Sequence, residues 1–178
     1  MASPAFRVRP ATRGDLTSIV EIYNHYVAHT PVTFEIAPTR PEERLDWFNE
    51  HSGPGRYRLL VATLDDGRIV GWATSSRFRP RAAYDTSVES SVYCRPGFEG
   101  QGIGSMLYEA LFRAIREEDI ERILAGITLP NPASVRLHGR FGFRRVGVFH
   151  RVGRKFGQYW DVAWFERPLR AEPASDAE

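Results

Sequence analysis

The chain has 178 residues, of which 42% are hydrophobic and 26% charged, with a net charge of +2 and a single cysteine. Those proportions suit one soluble globular domain with a substantial core. Cys94 alone excludes an internal disulfide and a cysteine-based metal cluster, and fits a reducing, cytoplasmic setting. No apolar run is long enough to cross a membrane, Met1-Ala2-Ser3-Pro4 leads into no signal region, and the interleaved charges carry no nucleic-acid motif.

In chain order, Phe6 to Pro10 reads as a first strand, and Thr12 or Asp15 as the cap of a helix whose apolar face is Leu16, Ile19, Val20, Tyr23 and Val27. His25 and His29 stand four apart at its end. With no third ligand nearby, they are expected at the surface or in a cap rather than on a metal. After the segment Val32-Thr33-Phe34-Glu35, Pro41 to Glu50 predicts a second helix, with Pro41 in its first turn and Leu45, Trp47 and Phe48 on its inner face. Tyr57 to Thr63, the turn Asp65-Asp66-Gly67 and Arg68 to Ser75 form a hairpin. Arg77, Arg79 and Arg81 then alternate, so in an extended segment they share a side. A guanidinium fork there suits a carboxylate or phosphinate, although a solvated charged edge accounts for any one of them equally well.

The stretch Ser87 to Glu117 organises the rest. Val88, Ser90 and Val92 alternate with Glu89, Ser91 and Tyr93 in a strand period, while Ile103, Met106, Leu107, Ala110, Leu111, Ala114 and Ile115 keep a helical one. Between them lie Gly97, Gly100, Gly102 and Gly104. A strand that passes through a glycine-rich turn into a helix start presents free amides and the positive end of the helix dipole, a place for phosphate. The spacing matches neither the Walker loop, which needs Lys and Ser/Thr after its last glycine, nor the dinucleotide pattern G-x-G-x-x-G. A turn that only joins the two elements stands as the alternative. Arg122 to Thr128 is the next strand, Asn131 with Pro132 a helix cap and first turn, and Pro132 to Phe141 a helix carrying Ser134, Leu137, His138 and Phe141 on one face, closed by Gly142. Phe143 to Val152 and Gln158 to Pro168 pair around Gly153 to Gly157, and 170–178 is expected to be a disordered tail, which leaves 1–169 as one domain.

Five segments carry a family resemblance: IYNHYV (Ile22–Val27), AAYDTSVESSVY (Ala82–Tyr93), GQGIGSMLYEALF (Gly100–Phe112), LPNPASVRLHGRFGF (Leu129–Phe143) and VGRKFGQYWDVAWFERPL (Val152–Leu169). Together they resemble the GNAT superfamily of N-acetyltransferases, and within it the phosphinothricin acetyltransferase and L-amino acid N-acyltransferase group. Glu99-Gly100-Gln101-Gly102-Ile103-Gly104 matches the superfamily's acyl-CoA motif Q/R-x-x-G-x-G/A except that Glu99 stands at its first position.

The resemblance implies an α/β fold, a central mixed sheet with helices on both faces, and acetyl-CoA as cosubstrate with no metal. It implies main-chain contacts to the pantetheine arm from Val92, Tyr93 and Cys94. Gly100, Gln101, Gly102, Ile103, Gly104 and Ser105 would hold the pyrophosphate, and Asn131 would reach the arm from the other side. It makes Glu89 the general base, where the residues alone favour a strand-face salt bridge. His138 becomes an auxiliary acid or base, against a solvent-facing helix histidine, and Tyr108 a further proton donor, against a packed tyrosine. Phe34, Arg79 and Tyr84 are the implied acceptor contacts, Phe34 being equally readable as a core aromatic. Like charge turns Glu99 away from the pyrophosphate. The acceptor is expected to be a small amino acid or analogue; the alternatives are another amine (an aminoglycoside, a polyamine or a protein N-terminus) and a non-catalytic acetyl-CoA sensor. A homodimer is expected, with the aromatic end strands permitting it, and neither a nucleic acid nor a membrane is a partner.

Overall fold

The computed structural model describes residues 5–170. Its strands are β1 (Arg7–Pro10), β2 (Arg58–Thr63), β3 (Ile69–Arg77), β4 (Ser87–Cys94), β5 (Arg122–Leu129), β6 (Arg144–Lys155) and β7 (Gln158–Pro168). Its helices are α1 (Leu16–His29), α2 (Leu45–His51), α3 (Ile103–Ala114) and α4 (Pro132–Arg140). The strands form one sheet in the order β1-β2-β3-β4-β5-β7-β6. Every neighbouring pair is antiparallel except β4 and β5, which run parallel. This is the mixed sheet that the sequence pattern and the resemblance imply, and most of the predicted 170–178 tail lies outside the described residues.

Alternation along the strands sorts the apolar residues to two cores. On one face, Leu60, Ala62 and Val88 pack against Ile103, Leu107, Leu111 and Phe112 of α3. On the other, Leu59, Val61 and Trp72 pack against Ile19, Val20 and Ile22 of α1 and Phe48 of α2. Gly71 lets α3 sit close to the sheet: a Cβ there would stand 2.9 Å from the Tyr93 carbonyl and 3.0 Å from Ile103.

Two expectations shift in detail. Pro41 opens a 3-10 turn over Pro41–Arg44, and the α-helix proper is Leu45–His51. The last strand pair does not turn around 153–157. β6 runs on to Lys155, and the turn narrows to Phe156 and Gly157, whose φ values of 52° and 77° are those of a two-residue type I′ hairpin. A register break between Phe149 and Gly153, with Arg151 at φ 54°, takes up the extra residues.

Asp15 braces the entry to α1. Its carboxylate accepts from the Thr12 amide (2.7 Å) and hydroxyl (2.9 Å) and holds the Arg9 guanidinium through two bonds of 2.6 and 2.8 Å. The Arg9 hydrogen bonds hold the carboxyl below its ordinary range in spite of burial, which pushes the other way. The folded pKa is thus lower than the unfolded one, so this stabilisation is complete above the ordinary carboxylate pKa and is lost as pH falls through the folded value. Asp15→Asn should cost about 1–3 kcal/mol in urea unfolding at neutral pH, and the gap to wild type should close in strongly acidic buffer, where Asp15 itself is protonated.

Candidate active site

The site grows from a failure of strand pairing. β4 and β5 are in register only over Ser87↔Arg122, Val88↔Ile123 and Glu89↔Leu124. Beyond that they part, and a cleft of about 600 Å³ opens between Ser90–Cys94 on one side and Ala125–Thr128 on the other. The Arg95 amide donates to the Val70 carbonyl (2.7 Å), toward β3. Amides alternate in direction along a strand, so those of Val92 and Cys94 face the opened side.

The far wall is the glycine loop. Gly97, Gly100 and Gly102 have φ values of 84°, 75° and 82°, a left-handed backbone that suits glycine. Gly102 caps α3, and the Met106 amide bonds its carbonyl (3.1 Å) as the first rung of the helix. The amides of Ile103, Gly104 and Ser105 therefore stand outside the helical ladder. Gly104 has a different use from the other glycines: a Cβ there would lie 3.1 Å from Leu137, so it lets α4 close on α3. Its amide also donates to the Cys94 sulfur; burial and the charge of Glu99 nevertheless push that thiol up to about 11. Glu99 folds its carboxylate back onto the Gly97 amide (2.8 Å).

Of the expected cofactor contacts, Val92, Tyr93, Cys94, Gly100, Gly102, Gly104, Ser105 and Asn131 line the cleft. Gln101 is exposed and donates to the Gly97 carbonyl (3.3 Å), outside the wall, and the Ile103 side chain is buried in the α3 core, leaving its amide for the loop. Asn131 uses its side-chain oxygen to cap α4 through the Ser134 amide (3.0 Å), which leaves its NH2 group for the cleft. The sequence reading passed over Tyr26, whose hydroxyl donates to the Cys94 carbonyl (2.7 Å) at the cleft wall. It also passed over Arg136 and Arg140, cations at the rim on α4. Their spacing of four residues was the available signal, because it puts both on one side of a helix.

His138 is 3% exposed, so it is not a solvent-facing histidine. Its Nδ1 donates to the Ser134 carbonyl (2.8 Å), which leaves Nε2 as an acceptor for the Tyr108 hydroxyl (2.9 Å). The Ser90 hydroxyl donates to the Tyr108 oxygen (3.4 Å). Burial lowers the His138 pKa and raises that of Tyr108, so both are neutral near pH 7. Tyr108 is packed as the sequence allowed, between Phe112, Phe141 and Phe143, yet it also borders the cleft.

Glu89 lies on the opposite face of β4 from Ser90, half-buried. Burial pushes its carboxyl up, and the Arg79 charge partly offsets that. Arg79 sits over the Phe78 ring (4.7 Å), and Tyr84 meets the same ring edge-on (5.9 Å). Arg79 and Tyr84 therefore gather at the Glu89 end of the strand. Phe34 goes elsewhere. It packs over Gly153 of β6, where any Cβ would collide with its ring, and it borders neither the cleft nor the recess between α1, α2 and the sheet.

Residues 19–143 match the family model described as the Acetyltransferase (GNAT) family. The chain belongs to that family. It is 56% identical over 164 residues to the phosphinothricin N-acetyltransferase of Streptomyces coelicolor, spanning 92% of this chain and 96% of that one. To the L-methionine sulfoximine/L-methionine sulfone acetyltransferase of Pseudomonas aeruginosa it is 34% identical, over 96% of this chain and 97% of the relative. The solved GNAT phosphinothricin acetyltransferase of Sinorhizobium meliloti, in complex with acetyl-CoA, superposes with a TM-score of 0.88 at 32% identity, covering 96% of this chain and 94% of that one. The protein is thus an N-acetyltransferase with acetyl-CoA as its acetyl donor. The cleft fits that donor: main-chain amides and glycines suit a diphosphate, arginines stand at the rim, and the volume is that of a small-molecule site.

Glu99 is the one anion in the wall of the glycine loop. Two like charges a few ångströms apart near a protein surface repel by about 1–4 kcal/mol. Glu99→Gln should therefore tighten coenzyme A, lowering its Kd about five-fold or more in calorimetric titration, with the effect shrinking as salt is added.

Proposed function

We propose that the enzyme acetylates the α-amine of a small amino acid or close analogue, of the phosphinothricin or methionine sulfone type. The observation that carries this reading is Glu89. It is a carboxyl with a raised pKa, set where β4 and β5 begin to separate, beside the Arg79 cation that can hold an anionic acceptor. The names of the two curated relatives support the same acceptor class. Bound acetyl-CoA supplies an activated thioester.

The chain's own groups divide the remaining work. Glu89 removes the proton from the acceptor ammonium, directly or through a water, since only the free amine attacks. The Val92 amide donates to the thioester oxygen as negative charge grows there. Tyr108, bonded to His138, holds a proton at the cleft wall for the departing thiolate. Arg79 and Tyr84 contact the acceptor, and the loop of Gly100 to Ser105 with Asn131 orients the donor. Cys94 is not an acyl carrier, because a thiol held near 11 is protonated at working pH. The 1–169 segment acts as one catalytic domain, in the cytoplasm, as a homodimer, without nucleic acid or membrane. The exposed Phe149, Phe156 and Tyr159 on the β6–β7 hairpin support the dimer.

Thiol release from acetyl-CoA over a panel of amino acids and amines tests the acceptor. Turnover with phosphinothricin or methionine sulfone is expected; turnover with polyamines or aminoglycosides alone, or none at all, overturns the reading. Glu89→Gln should lower turnover by roughly 10²–10⁴-fold with coenzyme A binding intact. A carboxyl whose folded pKa is raised binds its proton more tightly in the folded state, so ionised Glu89 costs stability above that pKa. The variant should therefore melt no lower than wild type at neutral pH, and wild-type turnover should fall as pH drops through the raised Glu89 value.

A further inference from the structure

A second recess, of about 150 Å³, lies on the α1–α2 side of the sheet. Strand register places it. Ser76 pairs with Glu89, Thr74 with Ser91 and Trp72 with Tyr93, so these six side chains share one face. All but Glu89 line the recess, which therefore begins at Ser76, the strand partner of the proposed base. Trp47, Tyr23 and Arg44 close it from α2, α1 and the turn before α2.

Its polar groups are unevenly satisfied. His51 donates from Nδ1 to the Trp47 carbonyl (2.6 Å), so its Nε2 accepts the Ser76 hydroxyl proton (2.9 Å). Tyr23 shares a hydrogen bond with Thr33 (2.7 Å). Trp72 Nε1 and Thr74 Oγ1, in contrast, are buried with no hydrogen-bond partner, although each residue is only 4% exposed. A buried N–H or O–H without a partner costs about 1–3 kcal/mol, a cost that a ligand oxygen would remove. The Arg44 guanidinium lies 5.0 Å over the Tyr23 ring and is paired with the Glu35 carboxylate at 3.3 Å, which holds it at that wall.

Resting on the acceptor class proposed above, we infer that this recess receives the oxygen-bearing end of the acceptor side chain, a phosphinate or sulfone. Trp72 Nε1–H and Thr74 Oγ1–H donate to its oxygens. At about 30 Å³ per water-sized unit, the volume takes about five such units, enough for a compact oxo group with its methyl. The acceptor then lies with its amine at Glu89, its carboxylate toward Arg79 and its side chain running between Ser76 and Ser91 into the recess. The proposed base and the selectivity pocket are neighbours on one strand face.

The test compares kcat/KM for methionine sulfone with that for methionine, which has the same carbon chain without the oxygens, in wild type, Trp72→Phe and Thr74→Val. Thr74→Val keeps shape and removes one donor; Trp72→Phe removes the other donor together with the five-membered ring of the indole, and the methionine rate of the same variant controls for that lost volume. The sulfone-to-methionine ratio should fall roughly 10-fold in each variant, mainly through KM for the sulfone, with the acetyl-CoA KM unmoved. A ratio that stays at the wild-type value in both variants, with wild type active on the sulfone, overturns the recess assignment and shows the two groups to be served by water alone. Wild type inactive on every amino acid overturns the acceptor reading, and this inference with it. Melting temperatures identify a variant that misfolds, and the other variant then decides.

Discussion

The parting of β4 from β5 is the constraint on which the rest of the molecule depends. A strand interior to a sheet normally spends every amide on its neighbours, because an unpaired buried N–H is expensive. Here the pairing stops at Glu89↔Leu124, and the amides of Val92 and Cys94 are left facing a cleft. What surrounds the gap keeps it open and polar. α3 is drawn onto the sheet at Gly71, which fixes the start of that helix and its free amides beside the gap. α4 is drawn onto α3 at Gly104, which brings the capped end at Asn131 to the opposite side. Two glycines thus set the width of the site by omitting a side chain.

Strand alternation then separates two tasks on one element. The side chains of Ser90 and Val92 lie on the α3 face of the strand and those of Glu89, Ser91 and Tyr93 on the α1–α2 face, while Ser91 and Tyr93 border the cleft as well. The proposed base, Glu89, and a donor in the cleft can meet at the same atoms from opposite faces of the sheet only where the sheet has a hole, and the hole begins at that residue. The environment of Glu89 follows from the same placement. Its charge is felt at both Tyr93 and Tyr108, and its own carboxyl is pushed up by burial.

The periods of α1, α3 and β4, the Asn131-Pro132 cap and the glycine-rich turn into α3 were legible in the sequence because each is a local pattern. The Glu89 environment, the 3-10 start at Pro41 and the extension of β6 to Lys155 were not, because they depend on what packs from far along the chain. Phe34 shows the limit well. Its loop matched an acceptor contact, but where a ring comes to rest depends on which surface lies within reach, and here Gly153 supplies one across the fold while Phe34 stays 37% exposed. The recess at Trp72 and Thr74 was hidden for the same reason. Neither residue forms a motif, and only the register of β3 against β4 brings them level with Ser91 and Tyr93.

At the Tyr108–His138 pair, burial favours the uncharged form of both partners. Desolvation raises the tyrosine and lowers the histidine, so both shifts favour one arrangement, a neutral O–H···N bond. The Ser134 carbonyl fixes the tautomer by taking the Nδ1 proton, and Phe141 and Phe143 keep the pair dry. An imidazolium would have to form in that same apolar box against its desolvation cost. The pair therefore carries one shared proton through the neutral range without titrating. The carboxyl of Glu89 has no such partner to keep it neutral and faces the Arg79 cation across its own end of the strand. Burial pushes that carboxyl up while the Arg79 charge pulls it down, so the cation it faces sets Glu89 apart from the neutral pair.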